Sequence, residues 1–221
     1  MEKAVFARNK STQILLIAEQ QRIEFMRFYG TEPERFNLLP PGIQKDRLAP
    51  ANAASIRQEK RSELGLTSDT MVLLLVGSGF KTKGLDRAIK ALAALPATAR
   101  LLVVGQDNAE PFIKLAEECG VSSRVRFLGG RDDVSSLLLA ADILVHPAYH
   151  ENTGTVLLEA ACAGLPVVTV DQCGYAHYLK TAKAGIVLTS PFSNQAFQAA
   201  FLNEGGNPQK WHPRNRVHFQ S

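Results

Sequence analysis

From Met71 onward, short runs of consecutive apolar residues alternate with longer stretches that are apolar only at helical spacing. The runs span 72–76, 101–105, 125–128, 143–146, 167–170 and 185–188, and the helix-like stretches span 85–95, 110–119, 133–141 and 155–163. A strand that is apolar at every position buries both faces, and helices on either side are what bury them. The pattern therefore predicts an α/β domain: one Rossmann-like, doubly wound parallel sheet with right-handed crossovers. Ligands of such sheets sit at the carboxyl ends of the strands. Segments 77–84, 105–108, 129–132 and 147–154 each follow a strand and should share that rim.

The last of these segments carries the most informative chemistry. Glu151 and Glu159 stand on either side of the small-residue turn Asn152-Thr153-Gly154-Thr155, and the apolar run Val156-Leu157-Leu158 follows it. The spacing predicts a loop feeding a short helix that Gly164 ends. Glu151 falls in the loop and Glu159 about one turn into the helix. The amides between them point toward one spot, and free amides with a helix dipole favour an anion such as phosphate. Carboxylates on either side suit sugar hydroxyls, so the motif suggests a nucleotide-sugar site. The plainer alternative is an exposed loop residue and an exposed helix residue.

Other motifs are less decisive. The turn Gly77-Ser-Gly79-Phe-Lys-Thr-Lys-Gly84 has Thr82 where a dinucleotide fingerprint needs glycine, and Leu85-Asp86 where a P-loop needs Lys and Ser/Thr. A nicotinamide-binding Rossmann protein is disfavoured on that ground. What remains is a turn carrying Lys81 and Lys83. They are either solvated or in charge-assisted contact with a pyrophosphate, and Lys83 is better placed at the helix start. Arg131 either meets a base or phosphate or pairs with Asp132 or Asp133. His146 and His150 are separated by Pro147, which breaks the helix a zinc pair needs; His146 reads as a packed, hydrogen-bonded strand residue. His177 follows another strand and could line the rim. No metal cluster and no nucleophile–base set can be placed by spacing.

Around this domain the chain changes character. Residues 12–17 and 36–39 read as strands, 19–29 as a helix, and Pro40-Pro41-Gly42 as a rigid turn or hinge. Residues 49–62 are polar and Ala-rich, which predicts a surface helix. After Leu202 the periodicity collapses, so 203–221 is expected to be an irregular tail. The 221 residues can bury a full core, and 45% apolar with 21% charged content is that of an ordinary globular protein. The net charge of +4 is scattered, so no nucleic-acid partner is expected. Cys119, Cys162 and Cys173 lack metal-like spacing; the first two read as buried small residues, and the scatter suits a reducing compartment. With no signal peptide and no apolar run of about 18 residues, a cytoplasmic location is expected.

At this point several segments resemble one family. Glu151 and Glu159, seven residues apart in between, are similar to the E-x7-E motif of retaining glycosyltransferases of the family 4 type, which have the two-domain GT-B fold. Leu39-Pro-Pro-Gly-Ile43, Val76-Gly-Ser, Lys83-Gly84, Val104-Gly-Gln106, Phe127 to Arg131, Ala141-Asp142, His146-Pro147 and Ala163-Gly-Leu-Pro-Val167 agree in order. Thr31-Glu-Pro-Glu-Arg-Phe36, Val103-Val-Gly-Gln-Asp107, His146-Pro-Ala-Tyr149 and Cys173-Gly-Tyr-Ala-His-Tyr178 resemble the subfamily that adds glucose to heptose of the lipopolysaccharide core.

The resemblance implies roles. Glu159 would bond the ribose hydroxyls of UDP and Glu151 the hydroxyls of the donor sugar. The segment Asn152, Gly154, Thr155 and Val156 would surround the phosphates, with the amides of the last three meeting them. Lys83 and Arg47 would face the pyrophosphate and stabilise the leaving UDP without a metal or other cofactor. Arg131 would border the uracil. Thr82 stands where a second basic residue is expected, which leaves one charge fewer. UDP-glucose is the implied donor and the lipopolysaccharide core the implied acceptor. The resemblance also implies that 1–38 is a remnant of an N-terminal acceptor domain and 39–202 the donor domain. It implies self-association through an exposed interdomain surface, and a place at the cytoplasmic face of the inner membrane. The alternatives are a nucleotide-sugar-binding module without turnover, or half of a two-chain enzyme.

Overall fold

The computed structural model describes residues 2–202. The tail expected at 203–221 lies outside the described residues. In chain order the elements are α1 (Glu2–Phe6), β1 (Ile14–Leu16), α2 (Gln20–Tyr29), β2 (Phe36–Leu38), α3 (Ala53–Glu63), β3 (Met71–Val76), α4 (Leu85–Ala93), β4 (Ala99–Val104), α5 (Glu110–Glu118), β5 (Val125–Gly129), α6 (Val134–Ala140), β6 (Ile143–His146), α7 (Thr155–Cys162), β7 (Val167–Val170), α8 (Ala176–Ala182), β8 (Gly185–Leu188) and α9 (Asn194–Leu202).

The six strands from β3 on form one parallel sheet in the order β5-β4-β3-β6-β7-β8. The chain builds outward from β3 in one direction, crosses back to place β6 beside β3, then builds outward the other way. The predicted doubly wound sheet is therefore present. The central residues Leu73, Leu74 and Leu75 are 0% exposed, which is why this stretch reads as continuously apolar. Successive side chains point to opposite faces. Val72, Leu74 and Leu144 pack under α6, α7 and α8, while Leu73, Leu75 and Val145 pack under α4, α5 and α9.

Two features differ from the sequence reading. The helix expected on the surface at 49–62 is α3, but it turns two arginines inward. Arg61 is buried; it reaches the carbonyls of Ala140, Thr67 and Thr70, and its Nη1 lies 3.3 Å from Asp142 Oδ2. Arg57 bonds Asp142 Oδ1 at 2.5 Å and the carbonyls of residues 139 to 141. A planar guanidinium satisfies several helix-end carbonyls at once, so a polar residue becomes an inward tether. Second, α8 and α9 extend the covering layers in segments for which the sequence predicted no element. Phe197 and Phe201 of α9 are buried, but Gln and Ala intervene and blur the period. Cys119 and Cys162, expected to be buried, are half-buried; Cys173 is buried.

The N-terminal segments form a separate two-stranded parallel sheet of β1 and β2, with Ile14, Leu16 and Phe36 packed against Phe6 and Phe25. Its other face leaves Leu15 exposed, and Leu38, at the end of β2 on the packed face, is exposed as well. No helix among the described residues is long and apolar enough to cross a membrane.

Asp142 also accepts the Val72 amide at 2.7 Å, so one largely buried carboxylate joins α3, β3 and the α6–β6 corner. Asp142→Ala should cost about 3–5 kcal/mol of unfolding free energy by urea titration, since it strands a buried arginine. A change under about 1 kcal/mol would contradict the tether.

Candidate functional site

The strand order reverses between β3 and β6, and the loops leaving their carboxyl ends meet there. Glycine allows the meeting. Gly84, at φ +74°, precedes α4, and a Cβ on it would stand 2.0 Å from the Pro147 carbonyl oxygen. Gly154, at φ +82°, precedes α7, and a Cβ there would stand 3.0 Å from Leu157 Cδ1 and 3.3 Å from Glu151 Cγ. Neither helix start has a side-chain cap. The Leu85 amide is taken by the Phe80 carbonyl at 3.0 Å and the Leu157 amide by the Gly154 carbonyl at 2.9 Å, so among the described residues the amides of Thr155 and Val156 are left without a partner at the start of α7.

The second loop is held from both sides. The Tyr149 amide donates to the Thr82 carbonyl at 2.8 Å, and its hydroxyl to Asp86 Oδ2 at 2.9 Å. Arg87 donates to the carbonyls of Pro147 (2.9 Å) and Ala148 (3.2 Å), with its guanidinium 3.7 Å from the centre of the Tyr149 ring. Across the loop, the amide of Gly174 meets the Glu151 carbonyl at 3.1 Å, and that of Tyr175 the Thr153 carbonyl at 2.8 Å. The loop is thus set before any ligand arrives.

Glu151 sits in this loop and is largely buried. Its Oε2 pairs with Lys83 Nζ and lies 3.2 Å from His146 Nε2. Among the described residues its Oε1 has only a long approach of 3.5 Å from the Thr153 amide. Burial pushes the carboxyl up, but the hydrogen bond from His146 and the pairing with Lys83 outweigh it and hold it at about 2. The Lys83 stem lies along Gly77, where a Cβ would stand 3.2 Å from Lys83 Cε.

Glu159 lies one turn inside α7. Arg47, on the 3-10 turn Lys45–Arg47, brings its Nε to 3.7 Å from Glu159 Oε1 and donates from Nη1 to Ser135 Oγ at 3.1 Å. Arg47 Nε is buried and lacks a hydrogen-bond partner among the described residues. Thr155 and Asn152 are exposed, Val156 is half-buried, and the Asn152 carbonyl closes on Gly174, where a Cβ would stand 1.9 Å away.

The structure therefore brings Glu151, Lys83, Glu159, Arg47 and the 152–156 segment to one rim. Arg131 is also at the rim, but its fork is closed on Asp133, with Nε to Oδ1 and Nη2 to Oδ2 both 2.7 Å. This pairing, with help from Lys60, holds the Asp133 carboxyl well below the ordinary range. Lys81 points into solvent. His177 turns to the Gly174 carbonyl at 2.9 Å. His146 is packed as the sequence suggested, yet its ring serves the site. The signal was its place at the end of β6, five positions before Glu151.

A doubly wound parallel sheet with paired, glycine-capped helix starts at its switch point defines this as a GT-B-type α/β domain. The chain belongs to the glycosyl transferases group 1, whose profile matches residues 56–204. It is 48% identical over 198 residues to the lipopolysaccharide glucosyltransferase WaaG of Escherichia coli K12, covering 88% of this chain and 53% of that protein. A crystal structure of WaaG, a glycosyltransferase involved in lipopolysaccharide biosynthesis, superposes with a TM-score of 0.89 at 44% identity, over 98% of this chain and 60% of that one. D-inositol 3-phosphate glycosyltransferase of Mycobacterium bovis is 31% identical over 168 residues, 72% of this chain and 34% of that protein. The chain spans about half the length, or less, of these curated relatives.

The ordinary value for Glu151 is 4.5, and in the fold it is about 2. Its contribution to stability is therefore complete above pH 4.5 and is lost as the pH falls toward 2. Glu151→Gln removes that group, so its Tm should fall less steeply than the parent's across this acid window. Parallel Tm curves for the two would contradict the pairing.

Proposed function

We propose that these residues form the donor-binding half of a retaining glucosyltransferase, taking glucose from UDP-glucose for transfer to heptose of the lipopolysaccharide inner core. One observation carries the reading. At the switch point a preset loop puts a buried, ionised carboxylate and a lysine beside the open start of α7, with a second carboxylate–arginine pair one turn further in. The likeness to the Escherichia coli lipopolysaccharide glucosyltransferase supports the choice of glucose and of a core acceptor.

On this reading the amides of Gly154, Thr155 and Val156 take the pyrophosphate at the positive end of α7. Glu159 accepts from the ribose hydroxyls. Glu151 Oε1 accepts from a hydroxyl of the glucose. Lys83 and Arg47 supply the positive charge that stabilises UDP as the glycosidic bond breaks, and no metal is assigned. Each cation already faces a carboxylate, so binding exchanges partners and does not bury bare charge. Arg131 can border the uracil only by opening its clasp on Asp133. Transfer also needs an acceptor held in near-attack geometry. These residues by themselves should therefore bind donor without normal turnover.

Calorimetry with UDP, UDP-glucose and UDP-galactose tests the reading, with UDP-glucose expected to bind better than UDP-galactose. Glu159→Ala should weaken UDP by about 1.5–3 kcal/mol, the worth of hydrogen bonds to a charged group. An unchanged Kd would refute the ribose role. Lys83→Ala should weaken UDP more than uridine, because only UDP carries the pyrophosphate and the unpaired Glu151 would then repel it. Equal losses for the two ligands would refute the phosphate role.

A further inference from the structure

His146 is the buried titratable group that this reading leaves without a task. It ends β6, is 1% exposed, and pairs in register with Thr169 of β7. The Thr169 hydroxyl donates to the His146 carbonyl at 3.0 Å and meets Cys173 Sγ at 3.3 Å, so the histidine backbone is held on its β7 side. Among the described residues the ring has one polar partner: Nε2 lies 3.2 Å from Glu151 Oε2. Nδ1 is buried and has none among the described residues.

These contacts decide the tautomer. An ionised carboxylate only accepts, so the nitrogen facing it must carry a proton. In the neutral ring the other nitrogen is then a lone pair, which fits an Nδ1 with nothing to donate to. The opposite tautomer would set the Nε2 lone pair against Oε2 and bury an Nδ1–H without an acceptor.

The two oxygens of Glu151 are also used differently. Oε2 is held by both Lys83 and His146, while Oε1 is nearly open. Lys83 has three donors on a flexible stem and can turn toward an anion. His146 cannot, because its ring is packed in the core. We propose that His146 is the positioning residue of this site. Its Nε2–H keeps Glu151 anchored by Oε2 while Lys83 turns to the phosphates, so that Oε1 stays presented to a sugar hydroxyl. This rests on the donor-sugar role of Glu151 given above. It adds that the role depends on a histidine which itself touches no ligand.

The test compares UDP with UDP-glucose on the whole chain by calorimetry. His146→Leu should lower UDP-glucose affinity about ten- to a hundredfold and leave UDP within about twofold, since UDP lacks the sugar. His146→Gln, whose amide can place a donor near the lost Nε2, should recover most of the loss. Equal losses for both ligands, no loss for UDP-glucose, or no recovery with glutamine would overturn the proposal. Glu151→Ala separates the two ideas. If it spares UDP-glucose, the sugar role of Glu151 fails and the proposal falls with it. If it costs UDP-glucose binding while His146→Leu does not, the proposal alone fails. A ligand-free check is the 15N spectrum of the ring. A protonated Nε2 and a bare Nδ1 are expected, with the Nε2 signal moving in Glu151→Gln. A protonated Nδ1 with a bare Nε2 would refute it.

Discussion

Gly84 and the Pro147 carbonyl touch where no side chain could stand between them. This contact brings the loops of two central strands together, and the other features of the rim follow from it. It lets Thr82 accept from the Tyr149 amide, which fixes the second loop. It sets Lys83, the residue before Gly84, beside Glu151. The start of α7, which follows the second loop, is set at the same rim by this approach. A substituent at residue 84 would push the loops apart and separate the charges as well as the backbones.

Charge at the rim is organised in pairs. Lys83 meets Glu151, Arg47 meets Glu159 and Arg131 meets Asp133. The pairs are not equivalent. The Arg131 fork is bidentate and exposed, whereas Arg47 reaches Glu159 only at 3.7 Å and keeps a buried Nε without a partner among the described residues. Among the described residues, Arg47 is the one of the three cations with a buried donor left unmet.

The fold was largely legible in the sequence because burial on both faces forces a continuous apolar run. Strands β6, β7 and β8 match the expected bounds, and Glu151 and Glu159 fall in the loop and helix expected of them. What was not legible depended on contacts between distant segments. Nothing local in Arg57 or Arg61 says that they reach Asp142, some eighty residues on. Composition alone makes α3 a surface helix. His146 was read as a packed strand residue, and only the folded loop reveals that Glu151 curls back onto its ring. Arg131 stood open between a ligand and its acidic neighbours, and in the structure the neighbour two positions on occupies it.

The seam between β3 and β6 has a kinetic consequence. Leu73 pairs with Ile143 and Leu74 with Leu144, far apart in the chain, whereas each neighbouring pair on either side of the seam joins strands close in sequence. Nonlocal parallel pairing carries a large loop-closure cost and forms slowly. The β3–β5 and β6–β8 halves are expected to order first and dock along this line. The crevice does not exist until they have docked. A ligand held there recognises only the joined sheet, so its binding free energy is added to the seam that closes last.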